Sequence, residues 1–333
     1  MTGGDGYGKI VLGLTVKDKG EAIFPPTIVI TGPTAVGKSA VALELAPRFG
    51  AEILSADSRQ IYRHLDIGTA KPTIAERARV PHHLLDLVEP DEPYSAANFR
   101  ADADGVLRDL ARRGRVAFLV GGSPHYVQAV VERLEIPPVP PHPELRRELE
   151  QFAREQGAER LHQRLQQVDP QAAVQIQATN VRRVIRALEV YQVTGEPFSL
   201  IGRKRGTPLP ALRLAITDDR ARLYERIDRR VDLQMEVGLI EETRRVLEMG
   251  FSPELPPLRG LVYREAVAIL QGRMSTADGI RRMKETTHAF ARRQYTWLRR
   301  EPELHWLDAG PGLAGRVEEA IGRYLQGGQR ETW

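Results

Sequence analysis

The residues Gly32-Pro33-Thr34-Ala35-Val36-Gly37-Lys38-Ser39 read G-x-x-x-x-G-K-S, the spacing of a phosphate-binding loop. Glycines free backbone N–H groups to turn toward a phosphate, and a helix N-terminus behind them adds positive partial charge. Lys38 brings a point charge to the terminal phosphate, and the Ser39 hydroxyl is a ligand for Mg²⁺. The motif leaves open whether the phosphate belongs to a nucleotide or to something else. Asp57 is the next candidate. A carboxylate there can hold Mg²⁺ through water, act as general base on an acceptor, or cap the turn that follows. The run Asp57-Ser58-Arg59-Gln60-Ile61-Tyr62 is rich in hydrogen-bonding groups for a loop. Asp57 alone does not choose the reaction.

These residues need strands and helices to hold them. Thr27-Ile28-Val29-Ile30 is a short apolar, β-branched run that leads into the loop, and Ala40-Val41-Ala42-Leu43-Glu44-Leu45-Ala46 is a helix after it. Ala51 to Ala56 predicts a strand ending at Asp57, Ala96 to Arg112 a helix, and Val116 to Val120 a strand ending at Gly121-Gly122. Such alternation predicts an α/β fold with a P-loop NTPase-like parallel sheet between helices. Ligands bind beyond the carboxyl ends of its strands, so the loop, Asp57 and Gly121-Gly122-Ser123 should line one cleft.

The proline-rich run from Ile136 to Pro143 reads as a stiff linker. From Glu144 to about Thr194 the pattern is helical and charged, ended by Gly195-Glu196-Pro197. A strand returns at Ala211 to Ile216, followed by one long helix from Arg220 to Met249, closed by Gly250. The expected organisation is an N-terminal extension (1–24), a first part of the core (25–133), an all-helical insertion (134–199), and the rest of the core with C-terminal helices (200–333).

The chain has 333 residues, 41% hydrophobic, and no cysteine, which excludes disulfides, iron–sulfur clusters and thiol nucleophiles. No stretch approaches the roughly 18 apolar residues that span a bilayer, and the N-terminus carries no clear signal, so the expected location is the cytoplasm. His82 and His83 lack further ligand-like neighbours and read as structural. Net charge is +4, but seven Lys and Arg face one Glu between Arg281 and Arg300, around Tyr295 and Trp297. Basic side chains mixed with aromatics suit nucleic acid; a solvated helix face reads the same way.

Several further blocks resemble the tRNA dimethylallyltransferases: Asp57-Ser58-Arg59-Gln60-Ile61-Tyr62, Asp66-Ile67-Gly68-Thr69-Ala70-Lys71-Pro72, Pro81-His82-His83-Leu84-Leu85-Asp86 and Tyr94-Ser95-Ala96-Ala97-Asn98-Phe99-Arg100. The likeness continues through Arg186-Ala187-Leu188-Glu189-Val190, Arg230-Val231 and Arg292-Arg293-Gln294-Tyr295-Thr296-Trp297, so it spans Thr27 to Leu307. It implies transfer of a dimethylallyl group from its diphosphate to N6 of adenosine 37, beside the anticodon, with Mg²⁺. It implies catalytic roles for Asp57 as base, Ser123 at the bridging oxygen and Arg230 on the departing diphosphate, with Gly32 to Ser39 holding the donor. It implies tRNA contacts from Asp57, Ser58, Arg59, Gln60, Ser123, Arg146, Arg182, Arg183, Arg186, Arg292, Arg293, Gln294 and Trp297. Arg182, Arg183 and Arg186 stand at helical i, i+1, i+4 spacing and so share a face.

The chain departs from the family pattern at Ser123-Pro124-His125, Asn180, Val262 and His288, where Thr-Gly-Leu, Asp, Gly and Arg are usual. The expected partners are tRNA through its anticodon stem-loop and dimethylallyl diphosphate; no membrane is expected, and the expected state is a monomer. The alternative is a P-loop kinase of a nucleotide or small metabolite, which would need neither the arginine face of the insertion nor the basic segment. A nucleotide-switched RNA-binding protein should carry Asn-Lys-x-Asp, which is absent. Prenylation of free AMP would leave the insertion's arginines without use.

Overall fold

The computed structural model describes residues 16–17, 23–134, 136, 139, 141–201, 207–301 and 303–327. Two compact units emerge. One takes the described residues up to Val131 and from Leu209 onward; the other takes those between Glu132 and Pro208. The insertion expected at 134–199 falls inside the second. The expected extension is described only at β1 (Val16–Lys17) and β2 (Ile23–Phe24), an antiparallel pair; the rest of it lies outside the described residues.

The first unit is built on a six-stranded sheet of β3 (Thr27–Thr31), β4 (Ala51–Ser55), β5 (His82–His83), β6 (Val116–Val120), β7 (Ala211–Thr217) and β8 (His305–Asp308). Its order is β5-β4-β6-β3-β7-β8, and every neighbouring pair is parallel. The helices α1 (Lys38–Leu45), α2 (Ile74–Arg79), α3 (Ala96–Arg112) and α4 (Pro124–Val131) belong to its first segment. Side chains alternate across a strand, and the central strands β3 and β6 are buried at every residue, so they read as near-continuous apolar runs. Ile28, Ile30 and Phe118 join Val41 and Leu45 of α1, while Val29 and Leu119 join Phe99, Leu107 and Leu110 of α3. Gly121 is needed where β6 passes β4, because a Cβ there would lie 2.1 Å from the Ala56 carbonyl oxygen.

The second unit contains α5 (Pro143–Gln156), α6 (Ala158–Val168), α7 (Pro170–Gln175), α8 (Val181–Thr194) and α9 (Phe198–Ile201). Leu149, Leu161, Leu165, Val184 and Leu188 make its core. Pro143 sits in the first turn of α5, where no N–H is required. Gly195 ends α8 in the left-handed conformation. The linker positions 135, 137, 138 and 140 lie outside the described residues.

The chain returns to the first unit with α10 (Arg220–Glu236), α11 (Leu239–Glu248), α12 (Leu261–Leu270), α13 (Thr276–Leu298) and α14 (Leu313–Leu325). The single helix expected from Arg220 to Met249 is two. Gly238 takes φ 104° between them, which an α-helix cannot contain. The sequence pattern stayed helical on both sides, so periodicity alone missed the break. Among the described residues, no helix is long and apolar enough to cross a membrane.

Candidate active site

β3 delivers the chain to the P-loop, β4 to Asp57 and β6 to Gly121-Gly122, all at carboxyl ends of the sheet. A cleft of about 270 Å³ opens there, lined by Thr34, Ala35, Gly37, Lys38 and Ser39 of the loop and by Asp57, Ser58, Arg59, Gln60 and Arg230. Gly32, Pro33 and Val36, expected with the rest of the loop, do not line it. Val36 is fully buried in the core. The Pro33 carbonyl accepts a 2.7 Å hydrogen bond from Lys38 Nζ. The lysine therefore lies back along the loop.

Two later helices grip this loop. From α13, Gln294 accepts from Thr34 N at 2.8 Å and donates to Gly122 O at 2.7 Å. From α10, Arg230 donates to Thr34 Oγ1 at 3.3 Å and Arg226 to Val36 O at 3.1 Å. Gln294 was expected as a tRNA contact. It is 4% exposed with both ends of its amide engaged, so its place is in the cleft wall as a tie between the P-loop and the end of β6.

The loop after β4 is equally fixed. Asp57 Oδ1 accepts from Arg59 N at 2.9 Å, so the turn-capping role holds alongside any chemical one. Ser123 Oγ accepts from Ser58 N at 2.9 Å and donates to Ser58 Oγ at 3.1 Å. Ser123 does not line the cleft; it lies behind Ser58, which does. Gln60 accepts from Ser55 Oγ and donates to Thr69 O and Ala70 O. Arg59 donates to Pro256 O at 3.0 Å.

Charge in the cleft is unbalanced without an anion. Lys38 is lowered from 10.5 to about 7, by burial first and by nearby Arg230 second, with Asp57 opposing both. The residue as a whole is only half-buried and lines the cleft, so water reaches it and softens that penalty. Burial also lowers Arg230, with Asp57 opposing; a guanidinium nonetheless keeps its charge. Two cations beside one carboxylate make a receptor for a polyanion.

The block from Asp66 to Lys71, legible in the sequence only as part of the family likeness, is held as a platform by two later helices. Glu242 of α11, 4% exposed, accepts from the N–H groups of Asp66, Ile67 and Gly68 and from the Tyr263 hydroxyl at 2.6 Å. Gln234 of α10 donates to Ile67 O at 2.7 Å. Lys71 donates to Tyr62 O, Asp66 and Asp86. Gly68, Thr69 and Ala70 thereby form one wall of the cleft. A buried-type spacing of Glu242 and Tyr263 gave no signal, because their partners are remote in sequence.

In the helical unit the four expected arginines divide. Arg146 makes two 2.8 Å bonds to Glu189, and Arg186 adds one of 2.6 Å from its own helix. Glu189 is fully buried, and burial pushes it up, yet Arg146, the His142 N–H and Arg186 outweigh this and hold it at about 2. Arg182 and Arg183 are exposed. The face inferred from spacing is thus two arginines on the surface and a third turned to a buried carboxylate. On α13, Arg292 and Arg293 are exposed and Trp297 is half-buried, its ring 6.4 Å from that of His125.

The departures at Pro124, Asn180 and His288 have local explanations. Pro124 is the first residue of α4, where its missing N–H costs nothing. Asn180 caps α8 by accepting from Arg183 N. His288 stacks on Tyr224 at 3.9 Å. His83 bonds to Glu52, and His82 to Val80 O, which fits structural roles.

Ser39 and Asp57 give the cleft oxygen donors, and among the described residues no cluster of three His, Cys, Asp or Glu could hold an ion alone. Such a sparse hard-oxygen set fits a divalent ion that keeps water and rides on substrate phosphates.

The IPP transferase family model matches residues 60–301, and the isopentenyl transferase model matches residues 26–86. A tRNA dimethylallyltransferase from Thermomicrobium roseum is 47% identical over 302 residues, covering 90% of this chain and 92% of that protein. One from Roseiflexus sp. is 48% identical over 284 residues, covering 85% and 93%. A crystal structure of the tRNA isopentenylpyrophosphate transferase from Bacillus halodurans superposes with a TM-score of 0.67 at 35% identity, covering 91% of this chain and 97% of that one. A eukaryotic dimethylallyltransferase acting on tRNA superposes with a TM-score of 0.76 at 25% identity, covering 92% and 81%.

Proposed function

This chain belongs to the IPP transferase family, and we propose that it transfers a dimethylallyl group from dimethylallyl diphosphate to N6 of adenosine 37 in tRNA. The observation that carries the reading is the meeting of Lys38, Arg230 and Asp57 in one cleft. N6 attacks the allylic carbon, the carbon–oxygen bond to diphosphate breaks, and N6 gives up a proton. The leaving group gathers negative charge as it departs, and preplaced cations lower that barrier. Lys38 and Arg230 are such cations. The adenine amine is a weak nucleophile, since its lone pair is delocalised into the ring. Asp57, with Oδ1 fixed by the Arg59 N–H, is the carboxylate positioned to take its proton.

Ser39 would hold Mg²⁺, which when bound neutralises diphosphate charge. The Ser123 hydroxyl now points its proton at Ser58 Oγ; reaching the bridging oxygen requires that hydroxyl to turn. The target base must leave its stack in the anticodon loop, at a cost of a few kcal/mol. Exposed Arg182 and Arg183, with Arg292 and Arg293, are the groups that offset it by binding phosphates. We place the working unit at one chain and its location in the cytoplasm with its tRNA acceptor.

The test mixes protein, labelled dimethylallyl diphosphate, Mg²⁺ and unmodified tRNA, with ATP, AMP and no acceptor as controls. Label should enter tRNA, diphosphate should be released, and ATP should be unnecessary. ATP hydrolysis in step with turnover would return the kinase reading to first place.

A further inference from the structure

Leu261 opens α12 with φ 49°, a left-handed conformation that a γ-branched residue rarely adopts. Such strain persists only where the surroundings over-determine it, and it concentrates at ligand sites. The chain is pinned on both sides. Before Leu261, the Arg59 guanidinium donates to Pro256 O and lies so close over Gly260 that a Cβ there would sit 2.4 Å from it. After it, Val262 is 3% exposed and Tyr263 is anchored on Glu242. The Leu261 side chain, half-buried, is left on the cleft wall.

Its apolar neighbours there adjoin the phosphate end. Val231 follows Arg230 on α10, and Phe290 stands one helical turn before Gln294, which holds Thr34 of the P-loop. None of these three side chains offers a hydrogen bond to a base. Each suits a hydrocarbon joined directly to a diphosphate. Resting on the reaction proposed above, we propose that Leu261 determines donor specificity: with Phe290 and Val231 it seats the allylic chain and limits it to five carbons.

The test compares kcat/KM for dimethylallyl and geranyl diphosphate, with Mg²⁺ and saturating tRNA, in the full chain and its Leu261→Gly and Leu261→Ala variants. Wild type should favour the five-carbon donor. Leu261→Gly should shift the ratio toward geranyl by roughly 10-fold or more. Its melting temperature should stay level or rise, because glycine accepts positive φ freely. Leu261→Ala should shift the ratio the same way, with the backbone strain retained. An unchanged donor ratio in both folded variants overturns the proposal. So does a raised KM for tRNA with the donor ratio intact, which would put Leu261 against the base. Absence of any dimethylallyl transfer by wild type would sink the reaction itself, and this inference with it.

Discussion

Asp57 and Lys38 carry the chemistry at the scale of single residues, and each makes a distinct prediction. Asp57 is held by a backbone hydrogen bond and faces two cations. Asp57→Ala should lower kcat by roughly 10²–10⁴-fold while donor affinity changes little. Single-turnover kinetics beside equilibrium donor binding separate the two. Loss of diphosphate affinity with turnover per bound complex intact would make Asp57 a metal-site residue. Lys38 is held at about 7 rather than 10.5 in the free protein. Diphosphate favours the ammonium, so binding must raise that value again. Below pH 7 the proton is already present. Between 7 and 10.5 it must be taken up with the ligand, and affinity falls as pH rises. Titration calorimetry of diphosphate in two buffers of different ionisation enthalpy should reveal proton uptake at pH 8 in wild type and less in Lys38→Met.

At the scale of elements, α8 shows how a helix can be read correctly and its surface wrongly assigned. The i, i+1, i+4 arginines do lie on one helix, but Arg186 is committed to Glu189. Alanine at Arg182 and Arg183 together should raise KM for tRNA and reduce the log–log salt slope by about 1 per lost phosphate contact. Donor binding should be unchanged. An unaltered slope in the folded double variant would mean that this face is only solvated. Arg186→Ala belongs to a different class. It removes a bond to a buried carboxylate and should destabilise the helical unit by about 2 kcal/mol, read by denaturant melts. α10 and α13 serve the P-loop in the same indirect manner: Arg226 and Gln294 hold backbone groups of the loop and of β6 rather than meeting solvent.

At the scale of the whole molecule, among the described residues each unit carries one buried carboxylate with a strongly lowered pKa. In the sheet unit, Glu52 is 3% exposed and held at about 2, first by its hydrogen bonds from Arg113, against burial, with His83 adding to it. Glu189 is held at about 2 in the helical unit. Both values lie below the usual 4.5. Their contributions to stability are therefore complete above pH 4.5 and drain away as pH falls from there toward 2. Thermal melts should drop as pH falls from 4.5 toward 2, and Glu52→Gln should flatten that drop for the sheet unit. An acid response identical to wild type in the variant would place the sensitivity elsewhere.

The sequence by itself determined what is local. β3 and β6 are near-continuous apolar runs, β4 and β7 are apolar but for Glu52 and Arg213 in their interiors, α3 is bounded by its own caps, and the P-loop declares its chemistry in eight consecutive residues. The family resemblance was legible for the same reason, as ordered short blocks. Only the tertiary structure decided which polar groups are free to act. Thr34 finds Gln294 across 260 positions, Asp66 finds Glu242 across 176, and Arg146 finds Glu189 across 43. Helical periodicity specifies the side of a helix on which a residue lies, but nothing about the partner that will stand opposite. The break at Gly238 and the left-handed turn at Leu261 escaped the sequence pattern too. Both are backbone states stabilised by contacts that exist only once the chain has folded around them.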